Sequence, residues 1–249
     1  MAATGSVESI ARPADPAVCG GTGGACCGSC EVRPFSVCAA LAPGEAWQLA
    51  RLAQPACVAS RGTLFHQGDP AESVYNVTSG VVRLYRLSRD GRRQIVAFVL
   101  PGDFLGLALA DRYGYSADAV GEVTACRFSR EAFAAFLEEK PHLLRRLHEA
   151  ATHELSLAQD QMVLLGRRTA EERVAAFLMS MRERWGRIRG LSVTVPLPMG
   201  RQDIADHLGL TIETVSRTVA RLAREKALLV VPDGVRLLDI ARLQRLAEG

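Results

Sequence analysis

Seven apolar residues, Leu144, Leu147, Ala151, Leu155, Ala158, Met162 and Leu165, recur at steps of three and four through three heptads. That spacing puts them on one stripe of one long helix. Pro141, at a first-turn position that tolerates proline, starts the helix after Lys140, and the pattern carries it to about residue 166. The stripe can lie on the core of its own domain or against the same stripe of a second chain. A strip confined to a and d positions is the narrow coiled-coil form, so a parallel homodimer is the expectation.

The helix splits the 249-residue chain, a length that suits two ordinary domains, into dissimilar parts. Before it, from Val58 to Phe128, the period is two. Val74–Gly80, Val81–Leu87, Gln94–Leu100 and a run from Asp118 to Phe128 read as strands. The glycines at 62, 68, 80, 91, 102 and 106 suit corners that need positive φ or a close backbone approach. Short strands punctuated in this way make an antiparallel sandwich or barrel. Short helices are expected at about Glu45–Gln54 and from Ser129.

After the long helix, Thr169-Ala-Glu-Glu172 is a capping pattern ahead of Val174–Met179, and Leu191–Leu197 reads as a strand. Gly200–Gly209 reads as a helix closed by glycine, Thr211 caps a second helix from Ile212 to Lys226, and Val230–Leu237 forms a small β wing. Helix, glycine turn and second helix make a helix-turn-helix. The expected fold class is therefore α+β: an N-terminal antiparallel β-roll, a long dimerisation helix and a C-terminal winged helix-turn-helix. The expected boundaries are 1–42 for a cysteine-rich segment, 43–140 for the β-roll, 141–166 for the helix and 167–249 for the winged domain.

Charge supports that division. Residues 1–166 hold 15 Lys and Arg against 17 Asp and Glu, a net of −2; residues 167–249 hold 15 against 10, a net of +5. A basic end on a mildly acidic body suggests a polyanion partner. No run of 18 apolar residues exists, so no membrane span is expected, and the start of the chain has neither the basic nor the apolar part of a signal peptide. A cytoplasmic location follows as an expectation. There thiols stay reduced, and clustered cysteines suggest metal rather than disulfides.

On the second helix of the pair, Glu213, Ser216 and Arg217 share one face by their i, i+3, i+4 spacing. Arg can donate two bonds to guanine N7 and O6, and Glu can accept from the cytosine amino group. Thr211, Thr214 and Thr218 add polar groups nearby, while Arg201, Arg221 and Arg224 are placed to hold phosphates. The expected partner is double-stranded DNA.

Five of seven cysteines fall in residues 1–42. Cys27-Gly-Ser-Cys30 with Cys38 seven residues on is an iron–sulfur or zinc pattern, one ligand short of the usual four. Cys126 could complete the set. By spacing alone it is equally a buried core thiol, since it shares strand parity with Phe128. Cys26 could replace Cys27, and Cys57 reads as a core residue.

The run Gly200-Arg-Gln-Asp-Ile-Ala-Asp-His-Leu-Gly-Leu-Thr-Ile-Glu-Thr-Val-Ser-Arg217 closely resembles the DNA-binding signature of the CRP/FNR superfamily of bacterial transcription regulators. Thr169–Leu178 resembles that superfamily's hinge segment, and the resemblance covers about residues 25–246. Glu213, Ser216 and Arg217 match its FNR type, which implies a palindrome of TTGAT half-sites; the CRP type has Arg where this chain has Ile212. The resemblance further implies an oxygen-responsive activator, not an enzyme, that meets RNA polymerase on DNA. It also implies one [4Fe–4S] cluster per chain, held by Cys27, Cys30, Cys38 and Cys126. No cyclic nucleotide is expected. The stretches that hold its phosphate elsewhere in the superfamily read Leu105-Gly-Leu-Ala108 and Tyr115-Ser-Ala117, without the Glu and the Arg. Two other readings stand beside this one: a regulator whose cysteines bind zinc or act as a thiol switch, and an iron–sulfur redox protein.

Overall fold

The computed structural model describes residues 30–107 and 111–249. Two short 3-10 turns, Arg33–Phe35 and Val37–Ala40, lead into helix α1 (Pro43–Leu52). Eight strands follow: β1 (Gln54–Val58), β2 (Thr63–Phe65), β3 (Ser73–Ser79), β4 (Val82–Leu87), β5 (Arg93–Val99), β6 (Phe104–Leu105), β7 (Ser116–Ala119) and β8 (Val123–Ser129). They pair into two antiparallel four-stranded sheets, ordered β1-β8-β3-β6 and β2-β7-β4-β5. Leu64, Tyr75, Val77, Leu84, Ala117 and Ala125 fill the space between them.

The run from 118 to 128, expected as one strand, is two. β7 and β8 belong to different sheets, and the residues around Gly121 carry the chain from one to the other. Gly80 and Gly106 show why corners here take glycine. Both have positive φ, and a Cβ at Gly80 would stand 2.2 Å from the Glu122 carbonyl oxygen.

Ser129 caps α2 (Arg130–Glu138) by accepting from the Ala132 N–H, and Pro141 opens α3 (Pro141–Arg167). α1, α2 and the start of α3 cover the outer face of the β3–β8 sheet. Leu49, Val74, Phe128, Phe133, Leu143 and Leu147 form that core. The expected capping box at Thr169 is present, its hydroxyl accepting from the Glu172 N–H and the Glu172 carboxylate from the Thr169 N–H.

It opens α4 (Ala170–Arg189), followed by β9 (Thr194–Pro196), α5 (Arg201–Leu208) and α6 (Ile212–Arg224). The wing is β10 (Leu228–Val231) and β11 (Gly234–Leu237), with β9 completing a three-stranded sheet, and α7 (Ile240–Glu248) packs back on α4. α7 has clear chemistry that the sequence reading passed over. Asp239 caps it by accepting from the Arg242 N–H, and Leu243 is buried.

Candidate functional site

The turn between α5 and α6 is made by Gly209, which sits in the left-handed region at φ 62° and closes α5. Thr211 then caps α6, its Oγ1 accepting from the Thr214 N–H and lying 3.1 Å from the Thr214 hydroxyl. Val215, Val219 and Leu222 are buried against α5 residues Ile204 and Leu208. That packing turns the opposite face outward, and Glu213, Ser216 and Arg217 are all exposed on it. The Glu213 carboxyl is held below its ordinary value by its own backbone N–H, then by Thr211, with Arg217 one turn away adding to this. Thr218, grouped with these by sequence, is buried. Arg201 begins α5 and is half-buried. Arg221 pairs with Glu171 of α4, which binds α6 to its own domain instead of leaving that guanidinium for a phosphate.

The back of α5 is held by the β-roll, a contact with no counterpart in the sequence reading. Arg93 of β5 reaches Asp203 at 2.6 Å and Asp206 at 2.7 Å, and Arg83 of β4 reaches Asp203 at 3.1 Å. Burial opposes the Arg93 charge, but the two carboxylates outweigh it and raise its pKa. His207 lies 3.2 Å from the Ile95 carbonyl oxygen and meets the rings of Phe98 and Phe177 edge-on. Burial pushes its pKa down to about 4. Arg184 of α4 adds a bond of 2.6 Å to Asp103 in the turn after β5.

The second site is a pocket at the start of α1. Cys30, Cys38 and Cys126 line it together with Arg33, Asn76, Leu41, Ala46, Leu49 and Phe128. Cys38 arrives on the second 3-10 turn, which Ser36 caps and which Arg33 braces by donating to the Leu41 carbonyl oxygen at 2.8 Å. Cys126 projects from β8 on the face it shares with Phe128, and its cross-strand partner is Asn76 of β3. All three cysteines are half-buried. Cys27, the remaining expected ligand, lies outside the described residues. Among the described residues no group of three His, Cys, Asp or Glu is close enough to hold one metal ion. Cys57, expected in the core, is half-buried on β1 opposite Thr124 and is disulfide-bonded.

The expected seam divides. Leu144, Ala151, Leu155, Ala158 and Met162 are exposed along α3, Leu155 at 59% and Met162 at 66%. Leu147 instead lies in the core under α1 and α2, and Leu165 packs on the core of the C-terminal domain. Two of the seven positions are thus spent within the chain, because each end of α3 anchors a domain. None of the described helices is long and apolar enough to cross a membrane.

Comparison with known proteins agrees with this architecture. Residues 58–140 match the cyclic nucleotide-binding domain family and residues 172–246 match the Crp-like helix-turn-helix domain family. The chain is 55% identical to the transcriptional activatory protein AadR of Rhodopseudomonas palustris, over 88% of this chain and 91% of that one. It is 53% identical to the nitrogen fixation regulation protein FixK of Bradyrhizobium diazoefficiens, over 89% of this chain and 93% of that one. The solved structure of FixK2 from Bradyrhizobium japonicum superposes with a TM-score of 0.72 at 37% identity, covering 78% of this chain and 96% of that one. With sheets, long helix and helix-turn-helix in the same order, the chain belongs to the CRP/FNR family of DNA-binding transcription regulators, among the activators of the FixK and FNR type.

Proposed function

We propose that this regulator is oxygen-responsive: a cytoplasmic homodimer that binds TTGAT-type palindromes when its cysteine pocket holds a [4Fe–4S] cluster, and that then engages RNA polymerase. The observation that carries the reading is the convergence of Cys30, Cys38 and Cys126, from two distant parts of the chain, on one pocket. The donor set suits the group. Thiolates are the ligands such clusters take, the other lining is mostly apolar, and Arg33 brings a positive charge beside them.

When bound, the cluster supplies an oxygen-labile tie among its cysteine ligands. The chain's own residues convert that tie into a dimer. Holding Cys30 and Cys38 against Cys126 fixes residues 30–41 on the β3–β8 sheet, where Val37 and Leu41 share a core with Leu143 and Leu147 of α3. The first two turns of α3 are thereby braced, and the exposed stripe from Leu144 to Met162 continues from them. Two copies joined along that stripe present two α6 helices to successive major grooves, and a palindrome mirrors their two-fold axis.

Iron and acid-labile sulfide on protein purified under nitrogen test this reading. About four of each per chain are expected. Cys38→Ser and Cys126→Ser should lose both. Iron retained in Cys38→Ser would point to another ligand set.

A further inference from the structure

We propose that Asn76 is the hydrogen-bond donor that tunes the cysteine pocket: its side-chain amide donates to the Cys38 sulfur and raises the reduction potential of the group bound there. The proposal rests on the cluster reading above and assigns a positioning role to a residue that is not a ligand.

Asn76 lies mid-strand in β3, between β6 and β8, with Phe104 opposite on one side and Cys126 on the other. It is only 3% exposed and lines the pocket. Its Nδ2 stands 3.7 Å from Cys38 Sγ, and its Oδ1 is buried with no hydrogen-bond partner among the described residues. A buried amide with one end unsatisfied is a net cost to the fold, and an apolar side chain of similar size would avoid it. Val74, two residues earlier on the same face, shows that the sheet accepts one there. Arg33, the other polar non-cysteine side chain in the lining, already donates to the Leu41 carbonyl oxygen. A thiolate can only accept, so it is the amide nitrogen that suits Cys38, in keeping with the orientation the side chain takes. Hydrogen bonds to cluster sulfurs draw off charge and raise the potential.

Two substitutions separate donation from packing. Asn76→Leu fills the space but cannot donate; Asn76→Ser keeps a hydroxyl donor but leaves a gap. Wild type and both variants are purified as full chains under nitrogen. Iron and sulfide content, midpoint potential and half-life of the visible absorption in air are then measured on each. Thermal unfolding is followed on the metal-free proteins.

Donation predicts that Asn76→Leu has a more negative potential and a shorter half-life in air than wild type. Asn76→Ser should stay nearer wild type in both. In the metal-free proteins the order reverses, with the Leu variant unfolding at or above the wild-type temperature and the Ser variant below it. A Leu variant that folds metal-free but takes up no iron shows the residue to be needed for holding the group rather than for tuning it, and overturns the proposal. A Leu variant with wild-type potential and half-life, or a Ser variant worse than Leu in both, overturns it. Wild-type protein without iron and sulfide removes the cluster reading itself, a result visible before any variant is compared.

Discussion

His207 occupies the contact between α5 and the β-roll, its ring against Phe98 and Phe177 and its Nδ1 near the Ile95 carbonyl oxygen. Its pKa falls from the ordinary 6.5 to about 4. In that interval the unfolded chain binds a proton that the folded chain excludes, so stability must fall as pH drops from about 6.5 toward 4. Thermal unfolding between pH 7.5 and 5 should show a declining midpoint, and His207→Gln should flatten the decline. An equal slope in wild type and variant would place the effect elsewhere. On the outer face of α6, Arg217 is exposed beside Glu213 with no other polar partner among the described contacts. Arg217→Ala is expected to weaken binding to a TTGAT palindrome by about 1–3 kcal/mol and to relax selectivity at one base pair. Titrations against matched and single-substituted sites check both parts.

At the scale of elements, the long helix and the pair α5–α6 carry the account. Leu155 and Met162 are more than half exposed in the single chain, an exposure that a partner copy along α3 would remove. Leu155→Glu should convert dimer to monomer in sedimentation while leaving the fold's circular dichroism unchanged. α5 is held from behind by Arg83 and Arg93 on Asp203 and Asp206, which leaves the outer face of α6 clear. Arg93→Ala strips Asp206 of its β-roll partner and is expected to cost about 2 kcal/mol in urea unfolding. Much of this level was legible from residues alone. The Thr169 box, the Gly209 turn and the Thr211 cap are local signals, and each appears where its chemistry requires. The Arg93–Asp206 pair spans 113 residues and has no period, so no pattern announces it. Cys126 shows the boundary between the two cases. Its strand parity with Phe128 could be read, but whether that face is sealed core or pocket depends on what α1 and the 3-10 turns leave uncovered.

Across the whole molecule, α3 joins the two functions physically. Its first turns share a core with the segment that carries Cys38, its middle carries the exposed stripe, and Leu164 and Leu165 pack into the C-terminal core. A change in order at residues 30–41 therefore acts on the base of the same helix that, in the proposed dimer, sets the spacing of two recognition helices. In linkage terms, a group that binds only the braced form stabilises that form, and its loss returns the population to the other. The most direct test follows one anaerobic sample through a single exposure to air, measuring iron, acid-labile sulfide, sedimentation and affinity for a TTGAT palindrome before and after. Iron, sulfide, dimer and specific DNA binding should all be lost together. Undiminished DNA binding after the iron and sulfide are gone would contradict the oxygen-responsive reading.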